Sequence, residues 1–107
     1  MAVPVVIGPD APGAPGWVEA RSVAEVERLV RAGHTVAVTP AALAGAEGAA
    51  GDAAADEAAE LAAASICAWL GARVFRTARP AQVRLAVEMT ESLAGRRPPA
   101  LARRGLA

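Results

Sequence analysis

Arg76, Thr77 and Arg79 offer the most chemistry in this chain. Two guanidiniums, a hydroxyl and the free N–H groups of a helix opening at Pro80 could converge on a phosphate or another small anion. Pro80 has no N–H to give, but Ala81 and Gln82 keep theirs. The plainer alternative makes Arg76 and Arg79 strand-end and helix-start charges, paired with Asp or Glu. The carboxylates Asp56, Glu57 and Glu60 stand at helical spacing. They read as a solvated helix start, because His34 is the only histidine and no metal-ligand set forms around it. Cys67 is the single cysteine, so no disulfide can close within the chain. Between Ile66 and Ala68, with no cation in its flanks, it reads as a small core residue and not as a thiolate. A Cys67–His34 pair stays open on composition alone. Trp17 and Trp69 could stack on a flat heterocycle, and packing is the commoner use of such residues. No dinucleotide, P-loop, nucleophile-elbow or zinc-protease motif occurs, so no cofactor and no metal is predicted.

The elements that must position these residues are built from unusually small side chains. Alanine supplies 30 of 107 residues, and the larger apolar set (Val, Leu, Ile, Met, Trp, Phe) numbers 27. Burying a large side chain contributes roughly 1.5–3 kcal/mol and an alanine methyl much less, so the core is thin. The length fits one small domain and excludes a complete eight-stranded barrel, which takes about 250 residues. The chain has 11 Arg, no Lys and zero net charge. Lysine-based catalysis is therefore excluded, and bulk charge points to neither nucleic acid nor membrane. The charge is uneven: residues 32–72 carry five acids and no Arg, while residues 73–107 carry eight Arg and two Glu. Such halves can pair with each other or across subunits, or simply be solvated faces. The N-terminus has no basic, apolar leader, from which a cytoplasmic location is expected.

Val3 to Ile7 reads as a short strand, confined to a strand start or an edge by Pro4. Asp10 to Gly16 is loop, and Trp17-Val18 a brief extended segment. Ser22 and Glu25 form a capping box for a helix to Ala32, with Val23, Val26, Leu29 and Val30 on one face and Gly33 as its stop. His34 to Thr39 is a strand stopped by Pro40, and Ala41 to Gly51 a loop with one helical turn at most. Asp52 caps a long helix to Leu70, whose grip on the sheet is expected from Leu61, Ile66, Trp69 and Leu70. Arg73 to Thr77 is a strand. Pro80 opens a last helix with Val83, Ala86, Val87, Thr90 and Leu93/Ala94 inward, and Gly95 ends it. Residues 1–95 thus form one α/β domain and residues 96–107 a basic tail, extended or disordered. The βαβαβα order predicts a parallel sheet of three to four strands with three helices and right-handed crossovers. A sheet so small leaves edges and a face uncovered, and a homodimer is expected to hide them.

From Asp56 to Ala94 the chain resembles the C-terminal part of dihydropteroate synthase and related pterin-binding barrels. The residues that carry the resemblance are Ala-Trp-Leu-Gly-Ala (68–72), Arg-Val-Phe-Arg-Thr (73–77) and a final helix with Val83, Ala86 and Val87. In that family the strand ends Arg-x-His-Asp-Val, and its Arg and His hold the pyrophosphate side of the pterin substrate. Arg76 matches the Arg, while Ala78, Arg79 and Pro80 stand where His, Asp and Val are expected. The family's Ser-Arg-Lys segment has no counterpart. The resemblance implies part of a TIM-type barrel with a broken active-site motif. That suggests an accessory or binding protein without catalysis of its own, with an anionic or pterin-like ligand at Arg76, Thr77 and Arg79. The alternatives are a subunit of a folate-pathway enzyme whose site is completed by oligomerisation, and a protein–protein adaptor using the acidic loop or the basic tail.

Overall fold

A computed structural model describes residues 3–45 and 52–96. Their elements are β1 (Val5–Ile7), β2 (Trp17–Glu19), α1 (Val23–Arg31), β3 (Thr35–Val38), α2 (Pro40–Leu43), α3 (Ala53–Leu70), β4 (Val74–Arg76) and α4 (Pro80–Leu93). The four strands form one parallel sheet in the order β1-β4-β3-β2. The fold is α/β, as the alternation of strand and helix signals predicts. The proposed tail beyond Arg96 and the segment 46–51 lie outside the described residues.

The local signals act where the sequence puts them. The Ser22 hydroxyl accepts from the Glu25 N–H at 3.1 Å, and Glu25 reaches back to the Arg21 N–H at 2.7 Å, one residue before the expected Ser22 N–H. Asp52 caps α3 through the Ala55 N–H at 3.0 Å. Gly71 ends α3 with φ +112, and a Cβ there would meet Val30 Cγ1 at 2.8 Å. Only glycine serves both that backbone and that approach of α3 to α1. Pro40 both ends β3 and starts the single turn of α2.

The βαβαβα pattern gives three strands; the fourth is Trp17–Glu19. β2, β3 and β4 succeed one another across the sheet, joined by α1 and by α2–α3. The core cluster unites Val26, Ala64, Cys67, Ala68, Val83 and Val87 from the helices with Val36, Val38 and Phe75 from the strands. Hence α1, α3 and α4 all cover one face. β1 joins beyond β4, at the opposite edge from β2. Its connection to β2 runs back across the sheet, and a right-handed crossing in that direction must use the other face. Arg76 marks the route. It shares the second face with Val74 and Ala37, and its guanidinium donates to the carbonyl of Ala11 in the crossing loop. A Pro- and Gly-rich loop covers less than a helix, so the second face is only partly shielded: Val74 is buried and Val5 is 40% exposed.

Several side chains face opposite to expectation. Ile66 and Trp69 do not grip the sheet; they are 50% and 56% exposed, and Ala64, Cys67 and Ala68 sit beneath α3 instead. Trp69 is therefore not the packing residue its type suggests, whereas Trp17 is half-buried on β2. Leu93 is 78% exposed, and Thr90 and Glu91 take the inward positions of α4 with Val83 and Val87. Val23 on α1 is also 42% exposed. On α3 and α4 a small or hydrogen-bonded side chain lets the helix lie close to the sheet where a bulky one would hold it off.

Candidate functional site at the strand ends

The carboxyl ends of the strands carry the rim where ligands collect in open parallel sheets. Arg76 ends β4, Thr77 follows it, and Arg79 is the N-cap residue of α4. All three lie together as expected, along an open cleft of about 190 Å³ that Thr39, Asp56 and Glu60 also line. A second cleft, of about 390 Å³, lies beside it between Glu19, Arg21, Thr39 and Leu43.

Each of the three already has an internal partner. Glu60 projects inward from α3 and is 2% exposed. One carboxylate oxygen accepts from the Thr77 hydroxyl at 2.5 Å, the other from the Arg79 guanidinium at 2.7 Å. Thr77 in turn accepts the Arg79 N–H at 2.9 Å, and Glu57 stands 3.7 Å from the far side of the same guanidinium. Arg76 reaches across β3 to Glu19 on β2 at 3.2 Å. The register sets Glu19 beside Ala37 and Ala37 beside Val74, so the Arg76 side chain crosses β3 at its smallest residue. With Arg21 beside Glu19, four carboxylates (Glu19, Asp56, Glu57, Glu60) stand against three guanidiniums. The rim is thus net acidic, contrary to what an anion pocket needs.

Sequence reasoning placed Glu60 on a solvated helix start; it is instead the buried hub of the rim. The signal was its offset from Asp52, two turns into the helix, where the solvated first turn has ended. A second hub, missed altogether, lies at the other end of the helical layer. Glu91 of α4, also 2% exposed, takes a two-pronged hydrogen bond from Arg73 at 2.8 and 2.9 Å and another from Arg96 at 3.0 Å. Burial alone would raise the Glu91 pKa, but hydrogen bonds and charge from Arg73 and Arg96 prevail and hold it below the ordinary value. Arg96 also donates to the Ala68 carbonyl at 2.6 Å, closing the last turn of α3.

Cys67 is fully buried in the core, and burial pushes its thiol up to about 11. His34 is exposed at the start of β3. Among the described residues no group of three His, Cys, Asp or Glu is placed to hold a metal ion, and no helix is long and apolar enough to cross a membrane. No protein-family model matches the chain, and no curated protein or solved structure matches it either.

Proposed function

We propose that the chain is a non-catalytic α/β binding or accessory module, one that works by presenting surfaces. The observation that carries this reading is the internal saturation of the rim. Arg76, Thr77, Arg79 and Glu60 hold the loop, β2, α3 and α4 together, and a ligand at any of them must break that bracing. A general acid or base needs a proton within reach of substrate, and a nucleophile needs an activating base. Glu60 is committed on both oxygens, and the Cys67 thiol is buried and held protonated.

The second reading keeps a pterin-like or pyrophosphate ligand at Arg76, Thr77 and Arg79, in line with the resemblance to pterin-binding barrels. The open cleft beside these residues and the free N–H groups at the start of α4 favour it. Three carboxylates from α3 compete with it. Calorimetric titration with inorganic pyrophosphate and with pterin diphosphate separates the two. The module reading expects no heat from either. Heat that disappears in Arg76→Ala reinstates the ligand site, and turnover of pterin diphosphate with p-aminobenzoate overturns the module reading altogether.

A further inference from the structure

α3 is turned inside out for a helix on a protein surface. Its acids Asp56 and Glu57 are half-buried and Glu60 is buried, while every exposed position (Ala53, Ala54, Ala55, Ala58, Ala62, Ile66, Trp69) is uncharged. An outer face without charge is what a helix shows when that face is buried too. Ala55, Ala58, Ala62, Ile66 and Trp69 follow at steps of three, four, four and three, which places them in one stripe along the outer face. On α4, which packs beside α3 on the same face of the sheet, Leu85 and Met89 are 62% and 59% exposed.

The stripe has a symmetry of its own. Its positions mirror about Ala62: 58 and 66 lie four residues to either side, 55 and 69 seven. Its sizes do the opposite, small before Ala62 and large after it. When two copies of α3 cross antiparallel at Ala62, Ile66 of each falls on Ala58 of the other, and Trp69 on Ala55. That is large on small at every step, the self-complementarity that a two-fold interface requires. A different partner would have no reason to find that pairing.

Charge agrees with the same orientation. The N-terminal end of α3 carries the exposed Asp52, while its C-terminal end is held by Arg73 and Arg96, 14% and 28% exposed, around the single carboxylate of Glu91. Antiparallel pairing sets acidic end against basic end twice, and aligns the helix dipoles favourably. The area is of the right order. Ile66, Trp69, Leu85 and Met89 are 50–62% exposed. At roughly 200 Å² per large side chain they leave on the order of 450 Å² uncovered on each copy, before the exposed alanines of the stripe are added. Two such faces, at roughly 900 Å² plus the alanines, approach the ~1,200 Å² at which specific interfaces begin.

We infer that the first partner of this chain is a second copy of itself, docked α3 to α3, antiparallel, with the two-fold axis at Ala62. The inference rests on the module reading only in treating surface rather than rim as the working part. Sedimentation equilibrium of the full chain at 1–100 µM is expected to show a dimer. Ala62→Arg, at an exposed position, should weaken it at least tenfold with unchanged circular dichroism, since the axis counts the new charge twice. In a Cys67→Ala background, Ala62→Cys should oxidise to a cross-linked dimer. Ala55→Cys alone should not, but mixed with Trp69→Cys it should. A monomer at 100 µM overturns the inference, as does a dimer indifferent to Ala62→Arg. Efficient self-cross-linking at Ala55→Cys overturns the antiparallel order. A monomer would leave the module reading standing, whereas turnover would end that reading and leave the dimer intact.

Discussion

Replacing Glu60 by Gln tests whether the rim is a brace. The side chain is 2% exposed and joins α3 to Thr77 and to Arg79, which is itself 30% exposed. Breaking a buried ion pair by removing one partner costs about 3–5 kcal/mol. Arg79 keeps some water and keeps Glu57 at 3.7 Å, so the lower part of that range applies, and Gln retains one hydrogen bond. A loss of about 2 kcal/mol follows, or roughly 8–16 °C in Tm for a domain of this size. Urea unfolding followed by circular dichroism reads it. Arg79→Gln should cost more, about 3 kcal/mol, because it leaves the buried Glu60 carboxylate with only the Thr77 hydroxyl. The double variant should fall short of the sum by 1 kcal/mol or more, since the residues share one network. An unchanged midpoint for Arg79→Gln, or strict additivity, would refute the brace. It would mean that Arg79 is free in solution to meet a ligand.

Three other perturbations bear on the same architecture. Gly71→Ala forces an L residue to φ +112 against Val30, and should cost about 2–3 kcal/mol, read by the same urea transition. Glu91 has a folded pKa below its unfolded value. Its contribution is therefore complete above the unfolded value of about 4.3 and is lost as pH falls through the folded one. Unfolding midpoints at pH 3–7 should drop on the acid side, and Glu91→Gln should be weaker at pH 7 with a shallower acid drop. The Cys67 thiol, raised to about 11, should stay inert to a disulfide reagent at pH 8 and react at the rate of opening in rising urea. Fast native labelling would place it at the surface.

Local chemistry was legible in the sequence. Ser22, Asp52, Gly33, Gly71 and Pro80 mark helix ends through hydrogen bonds and backbone geometry that act within four residues. Val36, Val38 and Phe75 were legible as strand core. The strand at Trp17–Glu19 was legible as a brief extended segment but not as a sheet member, because three residues carry little pattern and their pairing with β3 is settled by the sheet. The faces of α3 were misread for a different reason. Alanine on every side erases the amphipathic period, and the rule that large residues point inward then misplaces Ile66 and Trp69. The rim was legible as a meeting of Arg76, Thr77 and Arg79 but not as a closed network. Glu19 lies 57 positions from Arg76, a separation no spacing rule can bridge.

The same alanines explain why both buried acids sit where they do. A helix that rests on a sheet through Ala64 and Ala68 has few knobs to lock its register. It could slide by a residue or turn about its axis at little hydrophobic cost, since most alternatives also present alanine. Glu60 near one end and the Glu91–Arg96 contact to Ala68 at the other fix α3 at two points, and hydrogen-bond geometry tolerates neither a slide nor a turn. A buried ion pair contributes little stability over an apolar pair of the same shape, but it discriminates strongly against misplacement. Pinned in this way, α3 turns Ile66 and Trp69 outward in one orientation only. The clamps at Glu60 and Glu91 are thereby what hold its apolar stripe in one register.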